Sequence, residues 1–407
     1  MYRNNLCRSK WVHKERPVLI NNWEATYFNF NEDKLTDIAK KAKEAGIELF
    51  VLDDGWFGKR DNDKCSLGDW TVYKDKLPSG IDGLAKRITD MGLKFGLWFE
   101  PEMVSPDSEL YRTHPDWAIR VPGRSAALGR NQYILDLSRE EVCSYIVKSV
   151  SDILSSADIS YVKWDMNRNM SDMPRMGYNH EYILGLYKIL SEITERFPDI
   201  LFESCAGGGG RFDAGMLAYM PQIWTSDDTD AAERLKIQYS TSMGYPVSAM
   251  SAHVTDVPNH QIGRVTPLAA RAAVAYAGIF GYELDITKLV PEELDAIKEQ
   301  IKKYKELRHL MIDGDFYRIA SPYEGNYCTW EIVSKDRSEV FVMTSRVLSP
   351  ANSEEMRIKL KGLDPETEYI DKESGLIYDG DELMYRGVRP QYERTDFAAV
   401  IMHLIKR

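Results

Sequence analysis

Apolar runs that stop abruptly at polar, aromatic tips recur along the chain, with helical stretches between them. Pro17-Val-Leu-Ile20 halts at Asn21-Asn-Trp-Glu24, Ile47-Glu-Leu-Phe-Val-Leu52 at Asp53-Asp-Gly-Trp-Phe57, and Lys94-Phe-Gly-Leu-Trp-Phe99 at Glu100-Pro-Glu102. Between them Leu35, Ile38, Ala39 and Ala42 mark one face of a helix with Gly46 at its C-cap, and Leu84, Ile88 and Met91 line a second that Gly92 closes. Helix, glycine, strand and charged tip in repeated order is the pattern of parallel βαβ units. It continues: a helix through Val142, Ile146, Val150 and Ile153 precedes Tyr161-Val-Lys-Trp-Asp-Met-Asn-Arg168, and one through Tyr182, Leu186, Ile189 and Ile193 precedes Ile200-Leu-Phe-Glu-Ser-Cys205. Further strands are predicted in Gln222-Ile-Trp-Thr-Ser-Asp-Asp228, Val247-Ser-Ala-Met-Ser251 and Gly278-Ile-Phe-Gly-Tyr-Glu-Leu284. The irregular stretch from Val104 to Leu137 reads as an excursion over the strand tips, its short Tyr133–Leu137 run included. Eight strands then remain, which predicts an α/β fold, a (β/α)8 TIM barrel with its site at the C-terminal strand ends.

A charged helix from Glu292 to Leu307 closes this region, and from about Asp315 the period changes. Cys328-Thr-Trp-Glu-Ile-Val333, Val340-Phe-Val-Met343, Met356-Arg-Ile-Lys-Leu360 and Ala398-Ala-Val-Ile-Met-His-Leu404 are short alternating runs, which predicts an antiparallel β-sandwich. The expected division is a catalytic barrel over 1–314 and a small accessory domain over 315–407.

Composition narrows the partners. The 407 residues carry a formal net charge of −11 and no lysine or arginine run, which argues against nucleic acid and anionic membranes. No stretch has the length to span a membrane, and the N-terminus carries no signal-peptide core. The five cysteines are odd in number and scattered, without zinc or disulfide spacing, so a cytoplasmic, reducing setting is expected.

Chemistry concentrates at the tips. Lys163, Asp165 and Asn167 are two apart and share a face of one strand, a set that serves equally as a structural ion pair or as a supported nucleophile. Lys163 would help keep Asp165 ionised. At another tip Asp227 and Asp228, with Asp230 nearby, would repel one another when all are charged, so that one holds a proton as a general acid requires. Glycoside hydrolysis needs such a pair of carboxyls. Trp23, Trp56, Trp98, Trp164 and Trp224 at the tips suit the apolar faces of sugars, though about half of them are assigned to packing. Asp53 and Asp54 read either as a solvated turn or as acceptors for sugar hydroxyls. The run Ala206-Gly-Gly-Gly-Gly-Arg-Phe-Asp-Ala-Gly215 fails the dinucleotide and P-loop spacings, so its glycines are expected to let backbone approach a ligand. His180, His253 and His260 form no ligand motif, and no metal or organic cofactor is expected.

Together, Ile20-Asn-Asn-Trp-Glu-Ala-Thr-Tyr27, Leu52-Asp-Asp-Gly-Trp-Phe57, Gly96-Leu-Trp-Phe-Glu-Pro-Glu-Met103, Tyr161–Arg168, Glu203-Ser-Cys-Ala-Gly-Gly-Gly-Gly-Arg211 and Trp224-Thr-Ser-Asp-Asp-Thr-Asp230 resemble the retaining α-galactosidases of glycoside hydrolase family 36. The resemblance spans nearly the whole barrel in order. It implies that Asp165 is the nucleophile and Asp227 the acid/base, a ranking over Asp228 that the residues alone leave open. It further implies that Asp53, Asp54, Trp98 and Lys163 bind galactose, that Arg130 and Asn167 lie near the nucleophile, that Cys205 and Gly207 line the 2-hydroxyl side, and that Trp23 packs by the pocket. The implied activity is exo-hydrolysis of terminal α-galactose from melibiose and raffinose-type oligosaccharides. Galactosyl transfer, or galactoside binding with little turnover, are the alternatives. Full-length relatives place a β-sandwich ahead of the barrel that helps build their oligomer. The chain starts close to the barrel, so that domain is expected to be missing and homo-oligomer formation stays open.

Overall fold

The apolar runs become eight short strands: β1 (Leu19–Asn21), β2 (Leu49–Leu52), β3 (Lys94–Phe99), β4 (Tyr161–Trp164), β5 (Leu201–Ser204), β6 (Gln222–Trp224), β7 (Met250–Thr255) and β8 (Ile279–Glu283). In this computed structural model, which describes residues 2–352 and 356–407, they join in chain order into a closed barrel. Two compact units divide the chain. The first holds Met1–Val12, Leu19–Trp224 and Glu283–Leu289; the second holds His13–Val18, Thr225–Tyr282 and Val290–Arg407.

In the first unit, parity decides what faces inward. Register sets Leu19 beside Leu49, Val51 beside Gly96, Gly96 beside Tyr161, and Tyr161 beside Leu201. Leu19, Leu49, Val51, Tyr161 and Leu201 form one buried cluster. Gly96 belongs there because a Cβ would come within 2.7 Å of the Tyr161 ring. Side chains two apart share a face, so the same faces lead onward to Asn21, Asp53, Trp98, Lys163 and Cys205. An apolar floor thus carries a polar layer at the C-terminal strand ends, as a barrel site requires.

The helix Glu32–Ala45 forms as its pattern predicts. Asn31 caps it by accepting from Lys34 N at 2.9 Å, Gly46 ends it at φ +93°, and Leu35, Ile38, Ala39 and Ala42 are buried. The excursion after β3 contains a two-stranded antiparallel ribbon, Met103–Val104 against Tyr133–Ile134, outside the barrel.

The expected strand at 247–251 is corrected in the second unit. Pro246 leads into a 3-10 turn at Val247–Ala249, and the strand runs from Met250 to Thr255. All six of its residues are buried, Ser251, His253 and Thr255 as fully as Met250, Ala252 and Val254, and the buried Val247 and Ala249 of the turn read as part of the same apolar run. The helix Pro291–Asp313 outlasts its expected end because Leu310, Met311 and Ile312 continue the buried face.

The C-terminal runs pair antiparallel into a six-stranded sheet of β9 (Asp315–Ala320), β10 (Tyr327–Val333), β11 (Glu339–Arg346), β12 (Glu368–Asp371), β13 (Ile377–Asp379) and β14 (Ala398–Lys406). Its order is β9–β10–β11–β14–β12–β13. Met356–Leu360 is no strand. Ile358 makes one isolated bridge to Val388, and the π-helical turn Glu382–Arg386 with Gly387 at φ +76° interrupts the ladder there. Ile358 and Leu360 still bury their side chains, alongside Val342, Tyr369 and Leu404.

Candidate active site

Asp165, just past β4, is 5% exposed and receives four N–H donors. Met166 N at 2.7 Å and Gly207 N at 3.3 Å donate to Oδ1, while Asn167 Nδ2 at 2.7 Å and Trp98 Nε1 at 3.2 Å donate to Oδ2. Three stretches, β3, the segment after β4 and the loop after β5, contribute to this cradle through two main-chain and two side-chain groups. An array of donors matches a carboxylate, which only accepts.

One step away, Asp53 Oδ2 accepts from Lys163 Nζ at 3.1 Å and Asn21 Nδ2 at 2.6 Å, and its Oδ1 accepts from Asp54 N at 2.9 Å. The direct partner of Lys163 is therefore Asp53, from the tip of β2 two strands away in the barrel, while Asp165 is among the other charges that act on the ammonium. Burial by itself would push the Lys163 ammonium down, but the surrounding charges, Asp53 foremost, hold it well above the usual lysine range. The ammonium also lies over the Trp224 ring, 5.8 Å from its centre.

Asp54 is already engaged by a cation. Arg60, which carried no sequence signal, grips it bidentately at 2.5 and 2.8 Å, and both side chains are buried. Burial raises the Asp54 carboxyl and Arg60 opposes the rise.

The ribbon brings Arg130 in. Gly129 and Gln132 exchange both main-chain hydrogen bonds around Arg130 and Asn131, which have φ +48° and +61°. This is the geometry of a two-residue hairpin turn with both central residues left-handed. Arg130 Nη1 then donates to Asn167 Oδ1 at 2.7 Å. Cys205 N donates to Trp164 O at 2.7 Å, keeping the thiol residue buried at the end of β5, and Gly207 adopts φ +53° to aim its N–H at Asp165. Trp23 opens the short helix Trp23–Thr26, its N donating to Asn21 Oδ1 at 2.8 Å. Trp98 is the tip tryptophan that reaches Asp165, whereas Trp56 and Trp164 spend their indole N–H groups on Trp98 O and Glu102 Oε1. The first unit therefore contains Asp53, Asp54, Trp98, Arg130, Lys163, Asp165, Asn167, Cys205, Gly207 and Trp23.

Asp227 lies in the second unit, where local bonding separates the three nearby aspartates. Asp230 caps the helix Ala231–Thr241, accepting from Glu233 N at 3.0 Å, and pairs with Arg264. Asp228 Oδ1 accepts from Asp230 N at 3.1 Å. Asp227 is the exposed member, and its carbonyl accepts from Gln261 Nε2 at 3.0 Å. The anticipated mutual repulsion is thus relieved at Asp230 by a cap and a cation. Among the described residues no group of three or more His, Cys, Asp and Glu side chains is placed to hold a metal ion.

Residues 1–314 match the melibiase family, and residues 327–404 match the glycosyl hydrolase family 36 C-terminal domain. The chain belongs to glycoside hydrolase family 36. Within family 36 it is 57% identical to alpha-galactosidase AgaA of Geobacillus stearothermophilus over 99% of this chain and 56% of that protein. It is 49% identical to alpha-galactosidase Mel36A of Lactobacillus acidophilus, again over 99% of this chain and 56% of the relative. The crystal structure of AgaA superposes with a TM-score of 0.97 at 56% identity, covering 100% of this chain and 57% of that one. A variant of AgaA crystallised with raffinose gives a TM-score of 0.98. The chain spans just over half the length of these family 36 relatives.

Proposed function

We propose that this chain is an exo-acting, retaining α-galactosidase that releases terminal α-linked galactose from melibiose and raffinose-type oligosaccharides. The observation that carries the reading is the four-donor cradle around Asp165, with the Asp53–Lys163 pair beside it. Asp165 attacks the anomeric carbon, and its donors hold the carboxylate in one orientation while charge leaves it. Asp227 protonates the leaving oxygen, then takes a proton from the water that frees galactose with retained configuration. Asp227 is preferred to Asp228 on the family resemblance, and Asp230 is taken up as the cap of the helix Ala231–Thr241. Asp53, Asp54, Trp98 and Lys163 bind galactose hydroxyls and its apolar face, with Cys205 and Gly207 toward the 2-hydroxyl. Arg130 and Asn167 steady the nucleophile, and Trp23 borders the pocket. The raffinose and stachyose complexes of AgaA variants support this substrate class. A cytoplasmic location is proposed with it, in keeping with thiols at all five cysteines.

Asp165→Ala tests the reading on an aryl α-galactoside with an activated leaving group. Turnover should fall by at least about 1,000-fold. A variant within tenfold of the parent would remove Asp165 from the mechanism.

A further inference from the structure

Glu100 follows β3 directly behind the nucleophile, is 0% exposed, and carried no assigned role in the sequence. Its Oε1 accepts from Asn167 N, and its Oε2 lies 3.2 Å from both Asn167 Nδ2 and Gln132 Nε2. Asn167 Nδ2 also donates to Asp165 Oδ2 at 2.7 Å, so one amide nitrogen is shared by two buried carboxyl groups. The other end of that amide accepts from Arg130. Gln132 is 2% exposed, and its Oε1 has no hydrogen-bond partner. Turning that amide over would set an acceptor against Glu100 Oε2, where it would take up a carboxyl proton.

We propose that Glu100 is a positioning residue for the nucleophile, a proton-holding carboxyl that fixes the shared Asn167 amide against Asp165. Two carboxylates bridged by one amide nitrogen in a buried site resist being charged together. Burial first, then the Asp165 charge, pushes the Glu100 carboxyl up to about 8. Of the charged groups that face it, Asp165 beyond β4 opposes its ionisation. Arg60, from the loop after β2, favours ionisation but is already spent on Asp54. At neutral pH the proton on Glu100 leaves the negative charge to Asp165, while both Glu100 oxygens still accept from Asn167. When Glu100 ionises, the Asn167 amide is drawn toward it and away from Asp165.

This inference rests on the galactosidase reading, so its test has two separate readouts. Glu100→Gln keeps an acceptor for Asn167 N but presents N–H to Asn167 Nδ2. With p-nitrophenyl α-galactoside, kcat should fall about tenfold with KM within about threefold, since loss of nucleophile orientation acts on turnover. The component of the alkaline fall centred near pH 8 should vanish from the kcat profile. Independently of turnover, pH-difference infrared spectra should show the carbonyl band of a protonated carboxyl titrating near pH 8 and weakened in Glu100→Gln. Glu331, another buried carboxyl pushed up to about 8, remains as an internal control, and Glu331→Gln removes its share. Unchanged kcat and pH profile, or an unchanged carbonyl band, overturns the proposal. A purely structural role would lower the melting temperature and leave the pH profile of the active fraction intact, which also overturns it. A parent chain with no turnover would instead refute the galactosidase reading and the positioning role built on it, while the carbonyl band still decides where the proton sits.

Discussion

Asp165 collects its four donors from three places in the chain, and the pair beside it shows why single residues there are costly to change. Lys163 and Asp53 are both buried, at 7% and 4% side-chain exposure. Lys163→Met removes the cation and strands a buried carboxylate, so unfolding in urea should show a loss of about 3 kcal/mol. The kcat/KM on an aryl α-galactoside should drop about 100-fold or more, and wild-type stability with wild-type kinetics would refute the pairing. The strand period made Lys163, Asp165 and Asn167 neighbours, and that much was legible in the sequence. The partner of Lys163 was not, because it comes from another strand and its identity depends on the register between them. Arg60, Glu100 and Gln132 were illegible for a related reason: each sits at a strand end or in an irregular loop, where no period marks a side chain's direction.

At the scale of elements, the glycine loop after β5 and the C-terminal sheet each yield a test. Gly207 holds φ +53°, and a Cβ there would still lie 3.7 Å from Asn167 Oδ1. Gly207→Ala therefore fits sterically but strains the backbone by about 1 kcal/mol, shifting its N–H from Asp165. Kinetics should show a fall in kcat of roughly tenfold with nearly native melting, and unchanged kcat would show that this donor is dispensable. In β10, Glu331 is fully buried; its Oε2 accepts from Lys361 N at 2.9 Å, and Oε1 has no hydrogen-bond partner. Burial pushes it up to about 8. That lies above its unfolded value, so the stability it contributes is full below the ordinary glutamate range and is lost as pH rises through about 8. Glu331→Gln should make urea midpoints at about pH 6 and about pH 9 more alike, and an undiminished difference would contradict this. The barrel strands were readable because apolar runs end in polar tips. Strand β7 was misplaced because the buried Val247 and Ala249 of the 3-10 turn ahead of it read as strand, and Met356–Leu360 because its inward Ile358 and Leu360 mimic a strand while a π-helical turn faces them.

For the molecule as a whole, a net charge of −11 would impede an anionic substrate but leaves a neutral sugar unaffected. The kcat/KM on melibiose should change by less than about twofold between about 0.05 and about 0.5 M salt, and a steep dependence would point to a charged substrate. Because the chain spans 56% of AgaA, turnover must be measured on these 407 residues themselves. The most direct measurement reacts the chain with an activated fluoro-galactoside whose glycosyl-enzyme hydrolyses slowly, then maps the adduct by peptide mass spectrometry. The account predicts one galactosyl ester, on Asp165, absent from Asp165→Ala. An adduct on any other residue, or continued hydrolysis with no adduct and inverted product, would contradict it.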